Sequence, residues 1–274
     1  MQEPNELPTA LLLDAIEHVL DEGSIAALAT LTSAPRNVGA KILVPELGPA
    51  VGSFGDVVLD KAVAQRATEF LAARDEAHLF QVHDFASELT EWAGASILFE
   101  RLEPEPRLVI CGAGHVGAAL ARLASLTGYK ATLIDDRADF VVRARFPDDR
   151  IELIAATNWN DAVRQAIGNG RGVSVAVVTR GHNEDEECLR GVISTDADYV
   201  GLIGSKRRTN IVLDRLREAG ADLEKLSKVH APVGLDIGAV TPEEVALAIL
   251  AEMVAERRGG KGGSLSSWRR DQET

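Results

Sequence analysis

Cysteine and aromatic residues are scarce in this 274-residue chain, which has two cysteines and only 4% Phe, Trp and Tyr together. Cys111 and Cys188 stand too far apart in sequence to form a Cys-x-x-Cys metal or redox pair, and nothing points to a disulfide scaffold. Positive charge is also in short supply: 29 Lys and Arg face 42 Asp and Glu, for a formal net charge of -13. That balance repels nucleic acid and anionic membrane surfaces. There is no uninterrupted run of about 18 apolar residues, the length a membrane helix needs. Residues 1–7 are polar and acidic rather than basic and then apolar, unlike a secretory leader. These absences predict a cytoplasmic protein with neither nucleic acid nor membrane among its partners.

Hydrophobic residues at 46% and charged residues at 26% describe an ordinary globular chain. Its length fits two domains at roughly 100 to 200 residues each. Leu12, Leu13, Ile16, Val19 and Leu20 lie on one helical face, predicting a first helix over 9–21 that Gly23 stops. Short strands are expected at 25–31, 41–44 and 50–53, a helix at 57–73 and a strand at 95–102. Pro104 and Pro106 can sit inside neither a helix nor a central strand, which places a domain boundary there. Beyond it, apolar runs at 108–111, 131–134, 151–154, 173–178 and 199–203 alternate with helical segments, the pattern of a parallel sheet covered on both faces. Thr241-Pro242-Glu243-Glu244 reads as a capping box opening a helix that runs to about Arg258. The expected organisation is a smaller α/β N-terminal domain over 1–103, a Rossmann-like doubly wound domain over 107–258, and a flexible tail over 259–274.

Gly112-Ala113-Gly114-His115-Val116-Gly117 matches G-x-G-x-x-G directly after an apolar strand and at the start of a helix. Gly112 permits the turn, Gly114 lets a phosphate approach, and Gly117 lets the helix pack closely, while free N–H groups at the helix start attract the anion. Asp135 ends the next strand, where an acidic side chain meets the ribose hydroxyls of NAD-type ligands and makes a 2′-phosphate less welcome. The bland reading is a tight turn with a solvated Asp135. Thr179-Arg180-Gly181-His182 falls on the same carboxyl rim. His182 and Asp185 could transfer protons or bind a metal, but no third ligand has a sensible spacing, so no metal site and no firm catalytic set is assigned. Gly204-Ser205-Lys206-Arg207-Arg208 opens another helix. Three cations in the first turn oppose the helix dipole and make better sense with an anion among them. His230 begins an apolar loop, 230–238, expected to close over the crevice. Its side chain reads as a structural hydrogen-bonding residue rather than a catalyst. Cys111, at the end of an apolar strand, reads as a buried small residue.

In this order, the glycine loop, the Thr179 to Asp185 stretch, the Gly201 to Arg208 turn and the His230 loop followed by Thr241-Pro242-Glu243-Glu244 resemble the XdhC/CoxI family, accessory proteins of xanthine dehydrogenase and related molybdenum hydroxylases. Ser33-Ala34-Pro35-Arg36, Gly39-Ala40-Lys41 and Gly52-Ser53 resemble the family's smaller N-terminal domain. There the family usually continues with a Gly-Gly-Cys, or with Gly-Gly and then an acidic residue, whereas this chain has Phe54-Gly55-Asp56-Val57-Val58-Leu59, which puts a thiol-dependent step in doubt. The resemblance implies a chaperone that binds molybdenum cofactor (molybdopterin), a pterin bearing a phosphate and a dithiolene. It would protect the cofactor while a cysteine desulfurase supports sulfuration, and deliver it to a molybdenum hydroxylase apo-enzyme such as xanthine dehydrogenase, with a homodimer left open. The cofactor contacts would come from Gly112, Gly114, His115, Gly117, Asp135, Arg180, His182, Gly204, Ser205, Lys206, Arg207, Arg208 and His230. The alternative is an NAD(P)-dependent oxidoreductase with NAD or another nucleotide along the glycine loop and His182 as acid or base.

Overall fold

The computed structural model describes residues 9–266. The expectation for residues 1–7, and the part of the expected tail from 267 onward, lie outside the described residues. The chain divides into two compact units, Met1–Pro104 and Glu105–Thr274.

In the first unit, α1 (Thr9–Asp21) precedes β1 (Ala26–Ser33), β2 (Lys41–Pro45), β3 (Val51–Gly52) and α2 (Val57–Ala73), then β4 (Ala77–Gln81), the short α3 (Val82–Phe85) and β5 (Ser96–Leu102). The strands form one antiparallel sheet in the order β3-β2-β1-β5-β4. Alternation along β1 sends Ala27, Ala29 and Leu31 toward α2 and leaves Ala26 and Leu28 on the α1 side, so the sheet carries a core on each face. The sequence pattern does not disclose β4. It is an edge strand whose first three residues are exposed, so it lacks the apolar alternation that marks a half-buried strand.

The second unit runs β6 (Arg107–Cys111), α4 (His115–Leu126), β7 (Lys130–Asp135), β8 (Ile151–Ala155), α5 (Trp159–Ile167), β9 (Val173–Val177), α6 (His182–Ile193), β10 (Tyr199–Leu202), α7 (Lys206–Glu218), α8 (Leu223–Ser227) and α9 (Pro242–Arg258). All five strands are parallel, in the order β10-β9-β6-β7-β8. Leu108 and Ile110 of β6 face the core under α4 and α9, while Val109 and Cys111 face the core under α5, α6 and α7. The sheet is therefore doubly wound, with helices on both faces. Small residues Ala118, Ala121 and Ala124 line the buried face of α4 and let it lie close to α9 and the sheet. Among the described residues, no helix is long and apolar enough to cross a membrane.

The capping box at the start of α9 forms as the sequence pattern predicts. Thr241 accepts from the Glu244 amide at 3.2 Å, and the Glu244 carboxylate accepts from the Thr241 amide at 2.9 Å. Thr241→Ala is expected to lower unfolding free energy by about 1 kcal/mol in urea titration at neutral pH, because it orphans a helix-start donor.

Candidate functional site

The strand order turns back between β6 and β9. The second unit starts in the middle of its sheet, builds outward through β7 and β8, then returns to place β9 on the other side of β6. In an open parallel sheet, the loops at the carboxyl ends of those two strands diverge and leave a crevice. Gly112, Gly114, His115 and Gly117 lie at the end of β6. Arg180, His182 and Asp185 follow β9, and Gly204 to Arg208 follow β10. Parallel pairing puts all of these on one rim.

The three glycines of the first loop do different work. A Cβ on Gly112, where φ is +112°, would lie 2.7 Å from the Val178 carbonyl oxygen, and one on Gly117 would lie 1.8 Å from the Gly112 oxygen. Both are fixed by backbone held against backbone. A Cβ on Gly114 would meet nothing within 4 Å. Gly114 caps α4 without a side-chain hydrogen bond, and Gly181 does the same for α6. The start of α4 thus keeps first-turn N–H groups without a side-chain cap next to a position that the chain leaves clear, whereas the start of α6 has the Glu184 carboxylate lying against Gly181.

Asp135, at the end of β7, is 1% exposed. It accepts from the Ala113 amide at 2.7 Å, the Arg137 amide at 2.9 Å, and Arg137 Nε and Nη2 at 2.8 and 2.9 Å. A carboxylate offers about four lone-pair directions, and these four N–H groups take them. Burial pushes the Asp135 carboxyl up, but the hydrogen bonds from Arg137 and Ala113 outweigh it and hold the group at about 2. The Arg137 guanidinium also lies 3.6 Å above the Phe140 ring. Next to it, Asp136 takes both end nitrogens of Arg180 at 2.7 Å. Because β6 lies between β7 and β9, this ion pair spans the end of β6, where the glycine loop sits.

A second buried carboxylate organises the other side of the rim. Asp185, 0% exposed, accepts from Thr179 Oγ1 at 2.5 Å and from Arg208 Nη2 and Nε at 2.5 and 3.0 Å. Burial pushes its carboxyl up against the bonds from Thr179 and Arg208. Arg208 therefore ties the start of α7 to α6. Ser205 caps α7 by accepting from the Arg208 amide at 3.2 Å. Lys206 and Arg207 stay exposed.

His115 and His182 occupy the first positions of α4 and α6, and both are exposed. His230 is the one predicted residue that the structure does not bring to the rim. Its backbone pairs with Gly201 beside β10, and its ring packs 4.5 Å from that of Tyr199 at the amino end of β10. Its Nδ1 lies 3.8 Å from Glu252 of α9, which also accepts from the Tyr199 hydroxyl at 2.5 Å and from the Gly234 amide at 2.9 Å. The loop after His230 docks on β10 and α9: Val233 N–H bonds to Leu202, and Leu235 N–H to Ala248. Among the described residues, no group of three or more His, Cys, Asp or Glu could hold a metal. Both cysteines are buried, and burial followed by the neighbouring Cys111 thiol pushes the Cys188 thiol up. Sequence reasoning missed Asp136 and Arg137. The available signal was the charge triplet Asp135-Asp136-Arg137 directly after a strand.

The doubly wound sheet and the glycine-rich first turn at the switch point define a Rossmann-type domain. A model described as the XdhC Rossmann domain matches residues 108–253, more than half of the chain, and one described as the XdhC and CoxI family matches residues 19–83. The chain belongs to the XdhC and CoxI family. It is 32% identical over 235 residues to the uncharacterized protein YqeB of Escherichia coli K12, covering 84% of this chain and 42% of that protein. It is 30% identical over 163 residues to a probable xanthine dehydrogenase subunit from Bacillus subtilis, covering 60% of this chain and 46% of that protein. To the molybdenum cofactor insertion chaperone PaoD of E. coli K12 it is 26% identical over 154 residues, covering 56% and 41%. The chain spans less than half the length of each of these relatives.

Two outcomes follow from the geometry. Gly117→Ala is expected to destabilise the second unit by about 3 kcal/mol through overpacking, while Gly114→Ala changes unfolding free energy by about 1 kcal/mol or less; urea titrations compare the two. Asp135 has a folded pKa below its unfolded value of about 3.9, so as pH falls the unfolded chain takes up this proton first. Its contribution of about 2 kcal/mol is complete above about pH 5 and is lost as pH falls toward 2. The stability gap between wild type and Asp135→Asn, measured by urea unfolding at each pH, should close over that window.

Proposed function

We propose that the second unit holds the phosphate end of the molybdenum cofactor and that the chain is a maturation factor for a molybdenum hydroxylase of the xanthine dehydrogenase type. In this reading it acts in the cytoplasm, keeps the cofactor while a cysteine desulfurase supplies sulfur, and passes it to the apo-enzyme. The observation that carries the reading is the clear position at Gly114, at a helix start with neither a side-chain cap nor an acid in its first turn. Such a place suits a phosphate, which is met by backbone N–H groups and by the positive end of the helix. Family membership and the likeness to a molybdenum cofactor insertion chaperone support the choice of ligand.

The residues present fit the phosphate end of such a group. The amides at the Gly114 to Val116 turn form the cradle, with His115 and His182 as hydrogen-bonding side chains at its edge. Lys206 and Arg207, in the first turn of α7, are exposed on the same rim and add positive charge. Arg208 and Arg180 are already joined to Asp185 and Asp136, so they set the walls of the crevice. When bound, the cofactor would supply the metal and dithiolene chemistry used by the client enzyme; this chain binds, orients and shields. The NAD(P)-dependent oxidoreductase alternative finds less support, because Asp135, which would accept the ribose hydroxyls, already has its lone pairs taken.

Purified protein mixed with cofactor released from a molybdoenzyme should retain it through a desalting column, with the pterin and molybdenum co-eluting. Lys206→Ala with Arg207→Ala should cut retention about tenfold, the equivalent of about 1.4 kcal/mol. A double variant that retains cofactor as well as wild type would remove these two cations from the site.

A further inference from the structure

The rim beyond β7 carries ion-paired arginines where its sequence position implies a free carboxylate. Where a dinucleotide fold presents a free carboxylate to a ribose diol, this chain presents a guanidinium. Arg137 covers Asp135 with Nε and Nη2, which leaves both N–H groups of Nη1 and one of Nη2 unused on its outer edge. Its face is fixed by the Phe140 ring, and its side chain is 35% exposed. Arg180, 46% exposed, reaches the same place from the end of β9. Both arginines converge on one carboxylate, since Asp136 takes two bonds from Arg180 and lies 4.0 Å from Arg137 Nε. Glu184 lies 3.4 Å from Arg180.

A planar carboxylate held end-on by one guanidinium and flanked by a second has the shape of an anion-recognition site already filled by the chain itself. The ion pair crosses the end of β6, so a ligand seated on the glycine loop must pass beside it or replace Asp136 as the partner of Arg180.

We infer that Arg137 and Arg180 form a selectivity subsite for a second anionic group on the ligand, with Asp136 standing in for that group, and that the subsite turns away ligands offering only a neutral diol. This rests on the reading that the glycine loop holds the ligand's first phosphate. Neutralisation by Asp136 and Glu184 keeps the subsite from raising affinity for anions in general. What it sets is discrimination between ligands that share the first phosphate and differ at the second position.

Adenosine phosphates can serve as probes because they vary those two positions separately. Calorimetric titration of the full chain should show adenosine 2′,5′-bisphosphate binding at least about tenfold tighter than 5′-AMP, and NADH binding no tighter than 5′-AMP. Arg137→Ala, or Arg180→Ala should the first fail to fold, should reduce the preference for the bisphosphate to less than about twofold. Asp136→Asn, which releases Arg180 without removing either guanidinium, should tighten bisphosphate binding several-fold more than it changes 5′-AMP binding; a side chain with only a structural role would not widen that ratio. Equal binding of 5′-AMP and the bisphosphate by wild type, or a preference that survives loss of Arg137 and of Arg180, overturns the subsite while leaving the glycine loop as a phosphate cradle. If none of the three probes binds at millimolar concentration while released molybdenum cofactor is still retained on the desalting column, the subsite is overturned and the cradle stands; if the cofactor is lost as well, both readings fail.

Discussion

The carboxylate of Asp135 is the constraint on which the rim depends. Burying a charge is tolerable only when it is paired and fully hydrogen-bonded, and this one satisfies the condition by drawing on two neighbouring structures at once. The Ala113 amide fixes the glycine loop to the end of β7, and Arg137 is pulled flat across the carboxylate and onto Phe140. The loop's shape and the position of the first guanidinium at the crevice are thus two results of one buried ionised group. Asp185 plays the matching part on the far side, joining Thr179 after β9 to Arg208 at the start of α7. Two buried acids, each locked to an arginine, thus stand on either side of the strand end that carries the glycine loop.

This arrangement explains why the wall of the site is stiff while its floor is small. Gly112 and Gly117 bring backbone against backbone, with no room for a side chain at either position. Gly114 is different, since the chain itself puts nothing in the volume beside it. A glycine enclosed by protein is a packing requirement. One facing empty space beside a helix start fits a requirement set from outside the chain.

Much of this was legible in the sequence, and the reasons divide cleanly. The five parallel strands, the glycine loop after β6, the helix opening at Gly204 to Arg208 and the capping box at Thr241 are local features, each expressed within a few residues of its own chain position. The partners of Asp135, Asp136 and Asp185 were not legible in the same way. Arg180 and Asp136 meet only because β9 returns to the other side of β6, and pairing across 44 residues cannot be read from composition or period. Arg208 looked like one of three equivalent cations, yet burial beside Asp185 separates it from Lys206 and Arg207. His230 belongs with Tyr199 and Glu252, a cluster that needs α9 folded back beside β10 before it exists. Strand β4 was hidden for the reverse reason: an edge with exposed side chains carries no burial pattern to detect.

Cys111 and Cys188 face each other inside the core beneath α6, and neither has any exposed surface. The chain contains no other thiol. Its folded surface is therefore chemically silent toward maleimides, disulfides and persulfides, and a single cysteine introduced at a chosen exposed position would be the sole reactive sulfur on the molecule. Dyes, spin labels or cross-linkers can be placed on this protein one at a time, with no background to subtract and no native cysteine to remove first.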